Sequence, residues 1–126
     1  MTEPIPTFPG DVLDLFARTA EVDIETRASD GTVHSTIIWV VVTDGVAYVR
    51  SYRGGTARWY REVTAKPEAV LVADGRRVDI RAVPAIDDAS VEACSRGFRD
   101  KYPSDPATPA MVALAVVNTT LRLEPR

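Results

Sequence analysis

Three Asp-Gly dipeptides limit the ways in which this chain can fold. They lie at Asp30-Gly31, Asp44-Gly45 and Asp74-Gly75, and runs with high strand propensity flank them. Asp-Gly suits the two-residue turn of a β-hairpin, because both central residues of that turn need a positive φ angle. The sequence therefore predicts a mainly antiparallel β structure built from consecutive hairpins.

Two of the predicted strands indicate what surrounds the sheet. Residues 37–42 are apolar at every position, which predicts a strand covered on both faces, in a small barrel that packs against a helix or another subunit. In the strand over residues 46–52, one face carries the smaller side chains Ala47, Val49 and Ser51, and the other carries Tyr48, Arg50 and Tyr52. The small face suits the interior of a tight barrel, and the large face points outward.

Helices are predicted at three places. Asp11 would cap the first, with Leu13, Phe16 and Ala17 along one face. A short helix follows Thr56 and ends near Ala65, because Pro67 cannot continue it. The third is capped by Asp87 or Asp88 and runs to about Lys101.

The ends of the chain complete the predicted fold. Residues 1–9 contain three prolines and form an extended arm, and residues 113–123 form the last strand. About six antiparallel strands, with helices after the third and fifth, favour a closed or partly closed barrel. The competing fold is a ferredoxin-like sandwich, which would need a longer helix after Thr56.

Composition limits the possible functions. The 126 residues form a single domain and carry a net charge of −3, which does not favour nucleic-acid or membrane binding. One cysteine, Cys94, excludes an intrachain disulfide and a cysteine-rich zinc site, and one histidine, His34, leaves no Ser-His-Asp machinery. No metal-ligand spacing is present. Because no apolar run approaches the roughly 20 residues of a membrane span and no signal peptide is recognisable, we expect a soluble cytoplasmic protein.

The most distinctive stretch lies between the strand that ends at Tyr52 and the short helix. Gly54-Gly55 can turn backbone N–H groups toward one point, and four arginines surround that turn: Arg50, Arg53, Arg58 and Arg61. Guanidinium groups and a helix N-terminus favour an anion, and nearby aromatic residues suit a planar ligand that carries a phosphate. The alternative is a solvated arginine-rich turn in which Trp59 only fills the core.

The motifs in and around this stretch resemble those of a known superfamily. The order along the chain is a strand, Ser51, Gly54-Gly55, Arg58-Trp59-Tyr60 and then Lys66-Pro67-Glu68-Ala69-Val70. This order resembles the flavin-binding split-barrel superfamily, which includes pyridoxamine-phosphate oxidase-like proteins and deazaflavin-dependent nitroreductases. Other segments, such as 38–41, 48–51 and 120–125, look like a small bacterial family of unknown function within that superfamily.

The resemblance implies a fold, a cofactor and a set of site residues. The fold would be a six-stranded antiparallel split β-barrel with short helices, and the protein would be a homodimer with cofactor grooves at its interface. FMN or a deazaflavin coenzyme would be the cofactor. The implied cofactor-binding residues are of three kinds, namely Arg50, Ser51, Arg53 and Arg58 for the phosphate, Gly54 and Gly55 for backbone N–H groups, and Trp59 for the wall.

Three functions remain open from the sequence. The first is a flavin- or deazaflavin-dependent oxidoreductase, for which no catalytic acid or base stands out, although Tyr48, Tyr52 or Tyr60 could donate a hydrogen bond to a substrate. The second is a non-catalytic dimeric barrel that binds a small anionic ligand or a protein partner. The third, a single-stranded nucleic-acid module, is disfavoured by the acidic net charge.

Overall fold

The computed structural model describes residues 5–126, so the first four residues of the predicted arm lie outside the described part of the chain. That part contains seven strands: β1 (Val22–Arg27), β2 (Val33–Ile38), β3 (Val41–Thr43), β4 (Val46–Val49), β5 (Glu68–Ala73), β6 (Arg76–Pro84) and β7 (Leu121–Pro125). Its five α-helices are α1 (Gly10–Arg18), α2 (Arg58–Ala65), α3 (Asp88–Lys101), α4 (Thr108–Met111) and α5 (Leu114–Val117), and one 3₁₀ helix spans Gly54–Thr56.

The strands form one antiparallel sheet in the order β2-β1-β5-β6-β7-β4-β3. The two edge strands, β2 and β3, are consecutive in the chain, and only Trp39 and Val40 connect them. Because so short a connection joins the two edges, the sheet is curled into a half-barrel. The predicted split-barrel fold with short helices is confirmed.

Backbone geometry explains why the predicted hairpins form. Asp44 and Gly45 have φ angles of 54° and 77°, and Asp74 and Gly75 have 49° and 78°. These left-handed conformations are the ones that a two-residue hairpin turn needs, and few residues other than Gly, Asp and Asn adopt them easily. The turn at Gly31, with φ of 90°, joins β1 to β2.

The strand count differs from the prediction because the apolar run 37–42 is not one strand. It ends as β2 at Ile38, turns through Trp39 and Val40, and resumes as β3 at Val41. Within one chain Ile37 is 65% exposed, so the predicted cover on both faces would need a second subunit at this position. A turn at this point is required, since the chain leaves one edge of the sheet and enters the other.

The predicted last strand, 113–123, is the second correction. Its first part forms helix α5, and strand β7 begins only at Leu121. The hydroxyl groups of Thr119 and Thr120 donate to the carbonyls of Val116 and Val117 at 2.6 and 2.7 Å, and these bonds end the helix. Branched apolar residues suggested a strand, but these local bonds favour a helical turn.

Helix α1 starts differently from the prediction as well. Pro9 occupies the N-cap position, so the predicted capping role of Asp11 is wrong. Asp11 lies instead in the first turn, 3.0 Å from the guanidinium of Arg76. The buried stripe of the helix consists of Val12, Leu15 and Phe16, whereas Ala17 is exposed.

The apolar core has two parts, one on each side of the curled sheet. The inner cluster fills the half-barrel with strand side chains and with residues of α1 and α2, including Trp59 and Val63 as the sequence predicts. The outer cluster lies between the sheet and α3 and contains Cys94 and Phe98. Burial raises the pKa of the Cys94 thiol to about 12, which agrees with its predicted role as a small core residue.

Helix α3 is held close to the sheet. As the sequence predicts, Asp87 caps it, since its carboxylate accepts a hydrogen bond from the Ser90 N–H at 3.1 Å, and Lys101 ends it. A Cβ atom on Gly97 would lie 2.5 Å from the Thr43 hydroxyl oxygen, so only glycine permits this approach. Within residues 5–126, no helix has the length and apolar character that crossing a membrane requires.

Candidate functional site

A cavity of about 720 Å³ opens beside the Trp39–Val40 corner, between the turn after β4, the start of α2 and helix α4. This volume is typical of small-molecule and cofactor pockets. Four of the residues that line it are the arginines predicted from the sequence: Arg50, Arg53, Arg58 and Arg61. The arginine cluster predicted from the sequence therefore forms the cationic part of the pocket. The sequence did not establish that a pocket exists there.

The turn after β4 is fixed by Ser51. Its hydroxyl donates to the Gly54 carbonyl at 2.6 Å, while the Gly54 N–H donates back to the Ser51 carbonyl at 3.0 Å. The Ser51 N–H is held in turn by the hydroxyl oxygen of Thr119 at 3.0 Å. Gly54 has a φ of 71°, which explains the need for glycine there. Ser51, Gly54 and Gly55 do not line the cavity. They stabilise the turn that carries the lining residues.

Helix α2 directs its N-terminus toward the cavity. The N-cap residue is Ala57, and no side chain caps the helix. The first N–H groups of a helix have no acceptor within it, and the helix dipole places partial positive charge at the same end. Because Ala57, Arg58 and Trp59 all line the cavity, this uncapped end faces the space where a ligand would lie.

Arg50 brings a positive charge into the interior. It is only 1% exposed, and its guanidinium donates to the hydroxyls of Thr120 and Ser95 and to the carbonyls of Met111 and Val91, at 2.8 to 3.0 Å. Within residues 5–126, no carboxylate lies within 4.0 Å of it. Burial lowers its pKa. The floor of the pocket therefore carries a positive charge that no ion pair neutralises.

The other three arginines lie at the surface of the pocket. All are exposed, and Arg58 has a long contact of 4.0 Å with Glu62, one helical turn further on. In the described part of the chain, Arg53 and Arg61 form no ion pair. Exposed guanidinium groups without a fixed partner are available to an incoming anion, especially beside an uncapped helix.

Another part of the lining, called here the aromatic end, is apolar and aromatic, and sequence reasoning did not assign it to the site. It contains Ile37, Ile38, Trp39, Ala107 and Met111. Trp39 is stacked on Tyr102, with ring centroids 3.8 Å apart and planes 10° apart. The segment 37–42 was conspicuous for its apolar character, but nothing in its pattern indicated that a turn would direct Trp39 into a cavity.

Thr36 and Glu21 add polar groups to this aromatic end. The buried Thr36 hydroxyl finds no hydrogen-bond partner in the described residues, which is unusual for a buried polar atom. Glu21 lies near Tyr102, because the carbonyl of the preceding residue, Ala20, accepts the Tyr102 hydroxyl at 2.6 Å. Burial raises the pKa of Tyr102, and the Glu21 carboxylate raises it further. The pocket lining thus combines four arginines with one carboxylate.

A second cluster lies at the margin of the pocket, behind Arg58. The Glu62 carboxylate accepts hydrogen bonds from the Thr26 hydroxyl at 2.7 Å and from Nδ1 of His34 at 2.9 Å. Burial would raise the pKa of Glu62, but these bonds outweigh burial and hold the pKa below its ordinary value. His34 is a half-exposed strand residue, as predicted, but no local sequence pattern indicates its partner 28 residues away.

The seven predicted cofactor-binding residues thus divide into two groups. The side chains that line the cavity belong to Arg50, Arg53, Arg58 and Trp59, whereas Ser51, Gly54 and Gly55 build the turn beneath it. Trp59 is 6% exposed and packs mainly into the half-barrel. Within residues 5–126, no group of three or more His, Cys, Asp or Glu side chains could hold a metal ion.

Solved structures with the same fold include proteins of several functions. HutZ, a heme storage protein from Vibrio cholerae, matches with a TM-score of 0.70 and 10% identity, over 95% of this chain and 91% of its own. A Listeria innocua protein provisionally assigned as a pyridoxamine 5′-phosphate oxidase has a TM-score of 0.65 and 14% identity, over 92% and 91%. An F420 reductase matches with a TM-score of 0.62 and 18% identity, over 94% of this chain and 96% of its own.

At these identities the likeness concerns the fold, which is the split barrel. No curated protein matches the sequence. A family model, described as "Uncharacterized protein conserved in bacteria (DUF2255)", matches residues 12–123. Because that match spans nearly the whole chain, the protein belongs to this bacterial family.

Proposed function

We propose that this DUF2255 protein binds FMN or a deazaflavin coenzyme in the arginine-lined pocket and acts as an oxidoreductase on a small molecule. The observation that carries the proposal is the uncapped N-terminus of α2, which faces a cavity lined by four arginines. A phosphate is the group that this combination of N–H groups, dipole and guanidinium forks suits best. Proteins of the same fold include an F420 reductase, which supports the choice of cofactor class.

In this proposal each residue has a limited task. Arg53 and Arg58 bind the phosphate from outside, the N–H groups at the start of α2 bind it along the helix axis, and Arg50 supplies charge from beneath. Ser51, Gly54 and Gly55 keep the turn in shape, and Trp59 forms part of the wall. When bound, the flavin or deazaflavin ring would supply the hydride or electron transfer, while the protein orients it and excludes water.

The proposal is tested by comparing FMN with riboflavin, which has the same ring system without the phosphate. A charged hydrogen bond to phosphate contributes about 1.5–3 kcal/mol. Arg58→Ala should therefore weaken FMN binding by about tenfold or more, and it should leave riboflavin binding nearly unchanged. Arg27→Ala is the matched control, because Arg27 is an exposed arginine on β1 that does not line the cavity.

Salt gives a second readout in the same titrations. Loss of a phosphate contact should flatten the salt dependence of FMN binding, since ionic screening acts mainly on exposed charges. Flavin fluorescence measured at two salt concentrations for the wild type and both variants provides the comparison. Equal FMN affinity in all three proteins would show that the turn is not the phosphate site.

The alternative is a non-catalytic barrel that uses the same pocket for another small anionic ligand, or a surface for a protein partner. One observation favours it: besides the arginines, the lining residues that could exchange a proton are only Glu21 and Tyr52. Colour distinguishes the two functions. A purified protein that is yellow, or that quenches flavin fluorescence, supports the oxidoreductase, whereas FMN and F420 both failing to bind supports the alternative.

We also propose that the protein is a homodimer. Strand β2 is an edge of the sheet, and its outward residues Val33 and Ile37 are exposed apolar side chains. Ile37 also borders the cavity, so a second copy packed there would close the open side of the pocket. Sedimentation should show a dimer at micromolar concentration, and a pure monomer would contradict the proposal.

A further inference from the structure

We infer that Trp39, rather than the motif residue Trp59, is the surface on which the planar ring of the cofactor stacks. The inference rests on the proposed function and adds the ring-binding end of the same pocket. The stack of Trp39 on Tyr102, at the corner between β2 and β3, would then select the ligand. Among phosphate-bearing molecules, the pocket would prefer those with a flat, unsaturated ring system.

The two tryptophans differ in what their rings contact. Trp59 is 6% exposed, belongs to the inner apolar cluster and lies edge-on to Tyr60, with centroids 6.1 Å apart and planes at 89°. Its ring is therefore occupied by the protein core. Trp39 also lines the cavity and packs against the outer cluster, with the ring centroid of Phe98 6.3 Å away, but it is only half-buried and is therefore the less enclosed of the two.

Trp39 is also held in place without a ligand. One face is stacked on Tyr102, whose hydroxyl donates to the Ala20 carbonyl at 2.6 Å. The next residue, Val40, is fixed through its carbonyl, which accepts a hydrogen bond from the Lys101 ammonium at 2.6 Å. The same ammonium donates to the carbonyls of Phe16 and Thr19 at 2.8 Å each. A ring fixed in this way loses little conformational freedom on binding, which favours affinity.

The charge distribution sets the orientation of the ligand. Phosphate is attracted to the arginines and repelled by Glu21, which lies near Tyr102 because the preceding residue, Ala20, accepts the Tyr102 hydroxyl at 2.6 Å. The ring then extends toward Trp39, where the neighbouring Ile37 and Ile38 supply apolar contacts. Flat rings stack on an aromatic face through their π systems largely independently of their substituents, so the contact selects a shape rather than one compound.

The test uses FMN and riboflavin with Trp39→Leu and Trp39→Phe. Because both ligands carry the same ring, Trp39→Leu should weaken both by a similar factor of about tenfold. Arg58→Ala, by contrast, should weaken FMN alone. Trp39→Phe keeps a flat ring against Tyr102 and should weaken binding by only about two- to threefold.

Flavin emission at saturation separates ring contact from a merely structural role. Indole quenches a flavin that it touches, so the emission of bound flavin should rise in both Trp39 variants, even where affinity is nearly unchanged. If circular dichroism shows that Trp39→Leu does not fold, the test rests on Trp39→Phe. A higher emission of flavin bound to that variant than to the wild type would then support contact with Trp39.

Two results would overturn the inference. In the first, folded Trp39 variants bind both flavins within twofold of the wild type and quench them equally; if Arg58→Ala still weakens FMN, the phosphate site stands and only the stacking surface is wrong. In the second, the wild type binds neither the two flavins nor F420, and then the proposed function and the stacking surface fail together.

Discussion

The two faces of strand β4 bury side chains in different ways. On the inner face, Ala47 and Val49 join an apolar cluster that α1 and α2 close. On the outer face, Tyr48 joins the apolar cluster beneath α3, and Arg50, directly after the strand, is buried under α3 and α4 with four hydrogen bonds and no ion pair to the described residues. The inner face is stabilised by excluding water, and the outer one also depends on polar partners distant in sequence.

This difference shows where the pocket obtains its charge. A chain that buried only apolar groups on both faces could form the half-barrel, but it would leave the pocket floor neutral. Burying an unneutralised guanidinium costs free energy, because the charge loses its hydration. We interpret Arg50 as a residue that serves ligand binding and lowers the stability of the fold. Substitutions on the inner and outer faces of β4 test this interpretation.

The largest effect is expected on the inner face, at Trp59. Trp59→Ala removes a large buried aromatic and leaves a cavity in the inner cluster, so the free energy of unfolding should fall by about 3–5 kcal/mol. Urea denaturation measures the change. Tyr52→Ala is the matched control, because Tyr52 is 59% exposed and its loss should cost little. A Trp59→Ala midpoint near that of the wild type would mean that the ring is not part of the core.

A smaller and less intuitive effect is expected on the outer face, at Arg50. Arg50→Lys keeps a buried charge but cannot form all four hydrogen bonds, so it should cost about 2–4 kcal/mol. Arg50→Met also loses the bonds but removes the cost of burying the charge, so it should cost only about 1–2 kcal/mol. In Arg50→Met, two of the groups that lose the guanidinium keep other partners. The Ser95 hydroxyl can donate to a carbonyl of its own helix, and the Val91 carbonyl already accepts a hydrogen bond within α3.

Denaturation of the two Arg50 variants side by side decides this point. A lysine variant more stable than the methionine variant would show that the buried charge itself stabilises the fold, and Arg50 would then be a structural residue. FMN titration of the methionine variant completes the test, because it should show weaker phosphate binding in a protein that remains folded.

The inner face is also the part of the molecule that sequence predicts best. Val22 and Ile24 on β1, Ala47 and Val49 on β4, and Trp59 with Val63 on α2 follow simple periods of two or four residues. Such periods depend on local geometry, which the sequence expresses directly. The hairpins are predicted for the same reason, since the need for positive φ is local to each Asp-Gly pair.

The outer face and the aromatic end of the pocket could not be predicted in this way. The partners of Arg50 lie 41 to 70 residues away, and the stack of Trp39 on Tyr102 joins a strand corner to the end of α3. Nothing in the local sequence indicates such pairs. The turn at residues 39–40 has no Gly, Pro or Asp to mark it, so an unbroken apolar run suggested one strand where the fold has two.

The smallest effect is expected where the inner face meets water, at Glu62. Its side chain is 11% exposed and is held by Thr26 and His34. These bonds hold the pKa of Glu62 below its ordinary value of 4.5, despite the opposing effect of burial. The unfolded chain therefore binds a proton more readily than the folded one, so the contribution of the carboxylate is complete above that value and is lost as the pH falls below it.

Glu62→Gln should accordingly lower the free energy of unfolding by roughly 1 kcal/mol at neutral pH, and by progressively less in acid. Glu68→Gln is the control, because its ion pair with Arg81 has both side chains more than 40% exposed and should contribute almost nothing. Urea denaturation of both variants across the acid range measures the difference. A Glu62→Gln effect that stays constant with pH would mean that the carboxylate charge is not what the Thr26 and His34 bonds stabilise. Arg50 on the outer face, where burial acts on a cation, should contribute no such loss of stability in acid.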